Sequence, residues 1–148
     1  MFDSLEIIKE KSHKDASLKL NELISQFIEK NEKFNLGLSG GNTPKLFYQT
    51  FAELNQENSD ITLWTVDDRH VHLKDEISNQ RMINSIFNIT KMNILELQFN
   101  EDPNKSAEDY SKLVFSKIQT FDSAILGVGN DGHICLLYTS PSPRDIPL

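Results

Sequence analysis

Residues Phe34 to Leu54 read FNLGLSGGNTPKLFYQTFAEL. Phe34, Leu36 and Leu38 place apolar side chains at alternate positions, which predicts a short buried strand. SGGNTP breaks that pattern, and Thr43-Pro44 signals a helix start, because Thr caps free N–H groups and Pro suits the first helical position. The helix is expected to run to about Leu54. A strand, a glycine turn and a helix in immediate succession form the unit from which open α/β sheets are built.

The same order recurs on either side. From Lys14 to Lys30, Ala16, Leu18, Leu20, Leu23, Ile24, Phe27 and Ile28 recur mostly at three- and four-residue steps, the spacing of an amphipathic helix. Ile61 to Val66 (ITLWTV) is β-branched and aromatic and reads as a second strand. Ser78 to Phe87 suggests a short helix with Ile83 and Ile86 inward, and Asn93 to Leu97 a third strand. Lys105 to Ile118 is helical by pattern, with Tyr110, Leu113, Val114 and Ile118 on one face. Ser123 to Leu126 is a fourth strand that runs straight into GVGNDGH. Helices alternating with short apolar strands predict a parallel sheet covered by helices on both faces. In such sheets ligands bind beyond the carboxyl ends of the strands. No repeat and no interdomain linker interrupts the pattern.

The chain has 148 residues, 38% hydrophobic and 25% charged, a balance suited to one globular unit. Its formal charge is −7, with no run of Lys and Arg, which argues against nucleic acid or an anionic membrane as partner. No stretch approaches the roughly 20 apolar residues that cross a bilayer. The N-terminus lacks a signal-peptide pattern, so the expected compartment is the cytoplasm. Nothing in the composition specifies an oligomeric state. The single cysteine, Cys135, excludes an internal disulfide and a multi-cysteine metal site.

Residues Cys135 to Asp145, CLLYTSPSPRD, match at all eleven positions one reading frame of a transposase adapter used in sequencing libraries. The expectation is that residues 1–134 are the N-terminal part of a single domain and residues 135–148 a non-native tail. Cys135, Tyr138 and Arg144 therefore receive no functional weight. The 148 residues by themselves are expected to be unstable or inactive, because an incomplete sheet leaves apolar faces exposed.

Three polar clusters fall at strand ends. Ser39-Gly40-Gly41-Asn42-Thr43-Pro44 offers backbone N–H groups at a helix N-terminus, where a phosphate would sit. Taken alone it serves equally as a tight turn with a helix cap. Asp67-Asp68-Arg69 sets a guanidinium beside two acids that could aim it at an anion; the plain alternative is a surface salt bridge. His70 and His72 follow on one side of an extended chain, and no third metal ligand stands out. Gly127-Val128-Gly129-Asn130-Asp131-Gly132-His133 is a sharply folded loop in which Asp131 could fix the tautomer of His133. A neutral imidazole there takes a proton from water near neutral pH, as ester hydrolysis requires. A structural histidine is the alternative.

Together and in order, LSGGNTPK, VDDRHV followed by Ser78-Asn79, and FDSAILGVGNDGH resemble the signature of 6-phosphogluconolactonases, a branch of a wider group with glucosamine-6-phosphate deaminases. The resemblance covers nearly all of the chain up to Ile134 and implies a Rossmann-like α/β fold. Two positions favour the lactonase branch: Arg69, where the deaminases typically have Tyr, and Ser39-Gly40-Gly41 in place of a TGS-type loop. Asp68 departs from the Glu usual in lactonases, and Ile134 decides nothing. The resemblance implies hydrolysis of 6-phospho-D-glucono-1,5-lactone to 6-phosphogluconate without metal or organic cofactor. His133 would be the general base, Asp131 its orienter and Arg69 the oxyanion or substrate-oxygen ligand. Ser39, Gly40, Gly41, Asn42, Thr43, Asp67, Asp68, Asn79, Gly127 and Gly129 would bind the substrate and its phosphate. The rival expectations are a deaminase/isomerase acting on glucosamine 6-phosphate and a non-catalytic sugar-phosphate sensor.

Overall fold

The computed structural model describes residues 5–130 and 132–134. The elements are α1 (His13–Ile28), β1 (Phe34–Leu38), α2 (Lys45–Leu54), β2 (Ile61–Thr65), α3 (Asn79–Phe87), β3 (Asn93–Leu95), α4 (Pro103–Lys117) and β4 (Ser123–Ile125). The four strands form one parallel sheet in the order β3-β2-β1-β4. The expected α/β architecture is present, and the expected tail lies outside the described residues.

The pleat decides which residues meet which helices. Phe34, Leu36 and Leu38 of β1 share a face with Ile61 and Leu63 of β2, and all five are 2% exposed or less. Ile24 of α1, Phe47 and Phe51 of α2, and Ile83 and Phe87 of α3 close over that face. Phe47 stacks on Phe51 with centroids 5.5 Å apart. Each such buried ring or branched side chain contributes about 1.5–3 kcal/mol. The opposite face carries Trp64 and Leu95, against Tyr110, Leu113, Val114 and Ile118 of α4. Trp64 lies across β1 because residue 37 is glycine; a Cβ there would stand 2.5 Å from the indole. Helices thus cover both faces, as the alternation predicts.

Three boundaries and one helix face differ from expectation for identifiable reasons. Thr43 does not cap α2. Pro44 takes the cap position with helical dihedrals and no side-chain bond, and Lys45 N–H finds the backbone carbonyl of Asn42 at 3.3 Å instead. β3 stops at Leu95 because Leu97 N–H turns to the side-chain oxygen of Gln80, at 2.9 Å. α4 starts at Pro103, two residues early, with the Asp102 carboxylate accepting from Asn104 N–H at 2.9 Å. On α1, Leu18 and Phe27 face solvent, while Ser17, Asn21 and Ile24 are buried. Among the described residues no helix is long and apolar enough to cross a membrane.

Candidate active site

The order β3-β2-β1-β4 reverses direction at β1. The crossovers after β1 and β2 lead one way, and β4 lies on the other side of β1. The loops that leave the carboxyl ends of β1 and β4 therefore diverge and open a crevice between them. A cavity of about 260 Å³ occupies it. Ser39, Gly40, Gly41, Thr43 and Pro44 line one wall, Asp67, Arg69 and Asn79 a second, and Gly127, Val128, Gly129 and His133 a third. The three clusters that lie apart in sequence meet in one place.

Two of the expected residues stand elsewhere. Asn42 does not line the cavity. Asp68 is turned under α3, where one carboxylate oxygen accepts from the N–H groups of Arg69 (2.8 Å) and Asn79 (2.7 Å). The other accepts from Gln80 N–H (2.8 Å) and the Ser78 hydroxyl (3.1 Å). Asp68 is thus an anion seated on the N-terminus of α3, where the helix dipole and unpaired donors favour it. Asp131 lies outside the described residues.

Arg69 is exposed, and its guanidinium donates to the Ile77 carbonyl at 2.8 Å. A backbone oxygen, rather than a neighbouring acid, fixes its aim and leaves the remaining donors of the fork directed elsewhere. His70 and His72 both pack on Phe99, with centroids 4.8 and 4.0 Å away, and His70 Nε2–H donates to Asn100 O at 2.7 Å. Among the described residues no group of three or more His, Cys, Asp or Glu is placed to hold a metal.

Asn79 couples two walls. Its side-chain N–H donates to the Asp67 carbonyl at 2.8 Å, and its oxygen lies against Gly40. Ser39 couples the other pair. Its hydroxyl oxygen accepts from Gly127 N–H at 3.2 Å, and its carbonyl accepts from the Tyr48 hydroxyl at 2.8 Å. Tyr48 is fully buried, and burial raises its pKa well above the ordinary 10.0 despite the bond to Ser39. Gly41 and Gly132 have φ of +91° and +84°, which suits glycine and lets each loop reverse sharply. The loop to His133 closes on itself: Gly129 N–H donates to His133 O (2.8 Å), Gly132 N–H to Gly129 O (2.9 Å), and Val128 bridges Ile134.

Sequence reasoning did not find Tyr48 or the Ile77 carbonyl. The only signal for Tyr48 was its place on the inward face of α2, and a carbonyl that anchors a side chain eight residues earlier leaves no signature.

The arrangement resembles known proteins. The family described as glucosamine-6-phosphate isomerases/6-phosphogluconolactonase matches residues 9–143. A 6-phosphogluconolactonase of Thermotoga maritima is 30% identical over 124 residues, covering 81% of this chain and 56% of that protein. A crystal structure of a 6-phosphogluconolactonase from Thermotoga maritima superposes with a TM-score of 0.78 at 28% identity, over 90% of this chain and 63% of that one. A monomeric glucosamine-6-phosphate deaminase shares the fold, with a TM-score of 0.74 at 21% identity, over 88% of this chain and 58% of that one. The chain spans a little over half the length of the curated relatives it matches. With the parallel sheet, the crevice at its reversal and the match across residues 9–143, the chain belongs to the glucosamine-6-phosphate isomerase/6-phosphogluconolactonase family.

Proposed function

We propose that this chain supplies much of the active site of a cytoplasmic lactone hydrolase that converts 6-phospho-D-glucono-1,5-lactone to 6-phosphogluconate in the oxidative pentose phosphate pathway. The observation that carries the reading is the meeting of Arg69, His133 and the N-terminal end of α2 around one cavity. Hydrolysis of a phosphorylated lactone needs a base for water, a cation for the developing oxyanion and a seat for the phosphate. Those three are the groups brought together.

In this mechanism His133 takes a proton from water as the water oxygen bonds to C1 of the lactone. Arg69 stabilises the charge that gathers on the carbonyl oxygen. The tetrahedral intermediate collapses by breaking the bond from C1 to the ring oxygen, and the proton held by His133 passes to that oxygen. The turn from Gly40 to Thr43 and the start of α2 hold the 6-phosphate with backbone N–H groups and the positive end of the helix dipole. Asp131 orients the imidazole. No step calls for a metal or an organic cofactor.

The test uses the full-length protein and freshly generated 6-phosphogluconolactone, whose decay is followed against the uncatalysed background. Accelerated decay that disappears with His133→Gln, at unchanged circular dichroism, is the expected result. An unchanged background would sink the proposal, and ammonia release from glucosamine 6-phosphate by the same preparation would put the deaminase reaction in its place.

A further inference from the structure

Ser39 was expected to contact phosphate; it lines the cavity, and its hydroxyl is engaged by the backbone of the opposite loop. It stands one residue past β1 and is 4% exposed. Its N–H donates to Ile125 O at 3.2 Å, so the sheet ladder fixes its backbone. Beyond that point the partners separate, because β1 turns away at Gly40 and β4 continues toward Gly127. The Ser39 hydroxyl oxygen spans the gap, accepting from Gly127 N–H at 3.2 Å where a backbone carbonyl of β1 would serve if the ladder continued. The carbonyl of Ser39 itself is turned to the buried Tyr48 hydroxyl, 2.8 Å away.

We infer that Ser39 is a positioning residue for His133: its hydroxyl ties the glycine loop that carries the histidine to the end of β1, and Tyr48 holds Ser39 in the orientation that allows it. The inference rests on the proposed role of His133 as base. Its geometric part stands without that role. From Gly127 onward the loop is closed by its own bonds, Gly129 N–H to His133 O at 2.8 Å and Gly132 N–H to Gly129 O at 2.9 Å. The bonds within the loop carry a shift at its attachment point through to the residue that bears the imidazole. A Cβ on Gly127 would come no nearer than 3.9 Å to the Ser39 oxygen. At Gly127 the hydrogen bond, rather than steric contact, joins the loop to Ser39.

The two roles for Ser39 separate kinetically. A phosphate ligand acts on substrate binding, whereas a misplaced base slows the chemical step; small displacements cost on the order of 10²-fold. In the full-length protein, Ser39→Ala is expected to lower kcat by about 10- to 100-fold with KM within about twofold. The NMR signals of the His133 imidazole should shift at the same time. Ser39→Thr, which keeps the oxygen, should restore both. Tyr48→Phe should produce a smaller change of the same kind and keeps the inference open to refutation should Ser39→Ala not fold. A raised KM with unchanged kcat and unmoved imidazole signals would overturn it and make Ser39 a substrate ligand. If the wild-type protein does not hydrolyse the lactone, the functional reading fails. The imidazole signals in Ser39→Ala still decide the tie.

Discussion

The side-chain amide of Asn79 fills the space that any side chain at position 40 would need. A Cβ on Gly40 would stand 1.9 Å from the amide oxygen and 2.1 Å from its carbon. This contact joins the turn after β1 to the start of α3, and through the Asp67 carbonyl to the end of β2. Gly40→Ala should therefore destabilise the protein by about 1–3 kcal/mol, the usual cost of overpacking. Combined with Asn79→Gly, the same change should cost much less. Urea denaturation of the four members of this cycle measures the coupling. Equal penalties in both backgrounds would mean that the contact does not limit position 40.

Asp68 is expected to matter for stability before it matters for turnover. Asp68→Ala removes an anion that accepts from three backbone N–H groups and one hydroxyl. The loss should be about 1–3 kcal/mol, as for a charged helix cap whose donors are left unmet. At temperatures where the variant is folded, most of its kcat should remain. A variant with wild-type melting behaviour and no activity would return Asp68 to the substrate site.

Arg69 should show the opposite signature. Lysine keeps the charge but cannot hold the Ile77 carbonyl and present a fork of donors at once. Arg69→Lys is expected to lower kcat/KM by about 10²–10³-fold, the cost of losing one oxyanion donor. Its melting temperature should be unchanged, since the side chain is exposed.

Tyr48 and Tyr110 set an alkaline limit on stability. Burial raises both pKa values above the ordinary 10.0. The unfolded chain thus releases these protons at a lower pH than the folded one. Their contribution is fully present below the unfolded value and is lost as pH rises from there toward the raised folded values. Denaturation midpoints should hold steady up to about pH 9 and fall steeply above about pH 10. Tyr48→Phe should flatten part of that fall. A profile as steep as that of the wild type would locate the alkaline sensitivity elsewhere.

The strands were legible because Phe34, Leu36 and Leu38, and likewise Ile61 and Leu63, alternate with the period of a pleated strand. The crevice was legible as three glycine-rich or charged breaks at strand ends. What could not be read were bonds between side chain and backbone. Asn21 is buried on α1 because its amide N–H donates to the carbonyl of Ser17, at 2.9 Å, so a polar side chain takes an inward position that hydropathy assigns to Leu18 or Phe27. Asp68 and Ser78 are ten residues apart, and only the path of the intervening loop makes the acid a cap rather than a ligand. The start of α4 was in plain view as Asp102-Pro103, a capping acid before a first-turn proline.

β1 pairs with β2 at five positions but with β4 at only three, Leu36 to Leu38 against Ser123 to Ile125. That short join unites segments more than 80 residues apart in sequence. Pairing across such separation closes a long loop, so this join is expected to form after the β1–β2 pairing and to open before it. The segment bearing His133 is thus the more readily detached half of the crevice. Amide exchange there should outrun exchange in β1 and β2, and the histidine should be released from its surroundings while the rest of the sheet still holds.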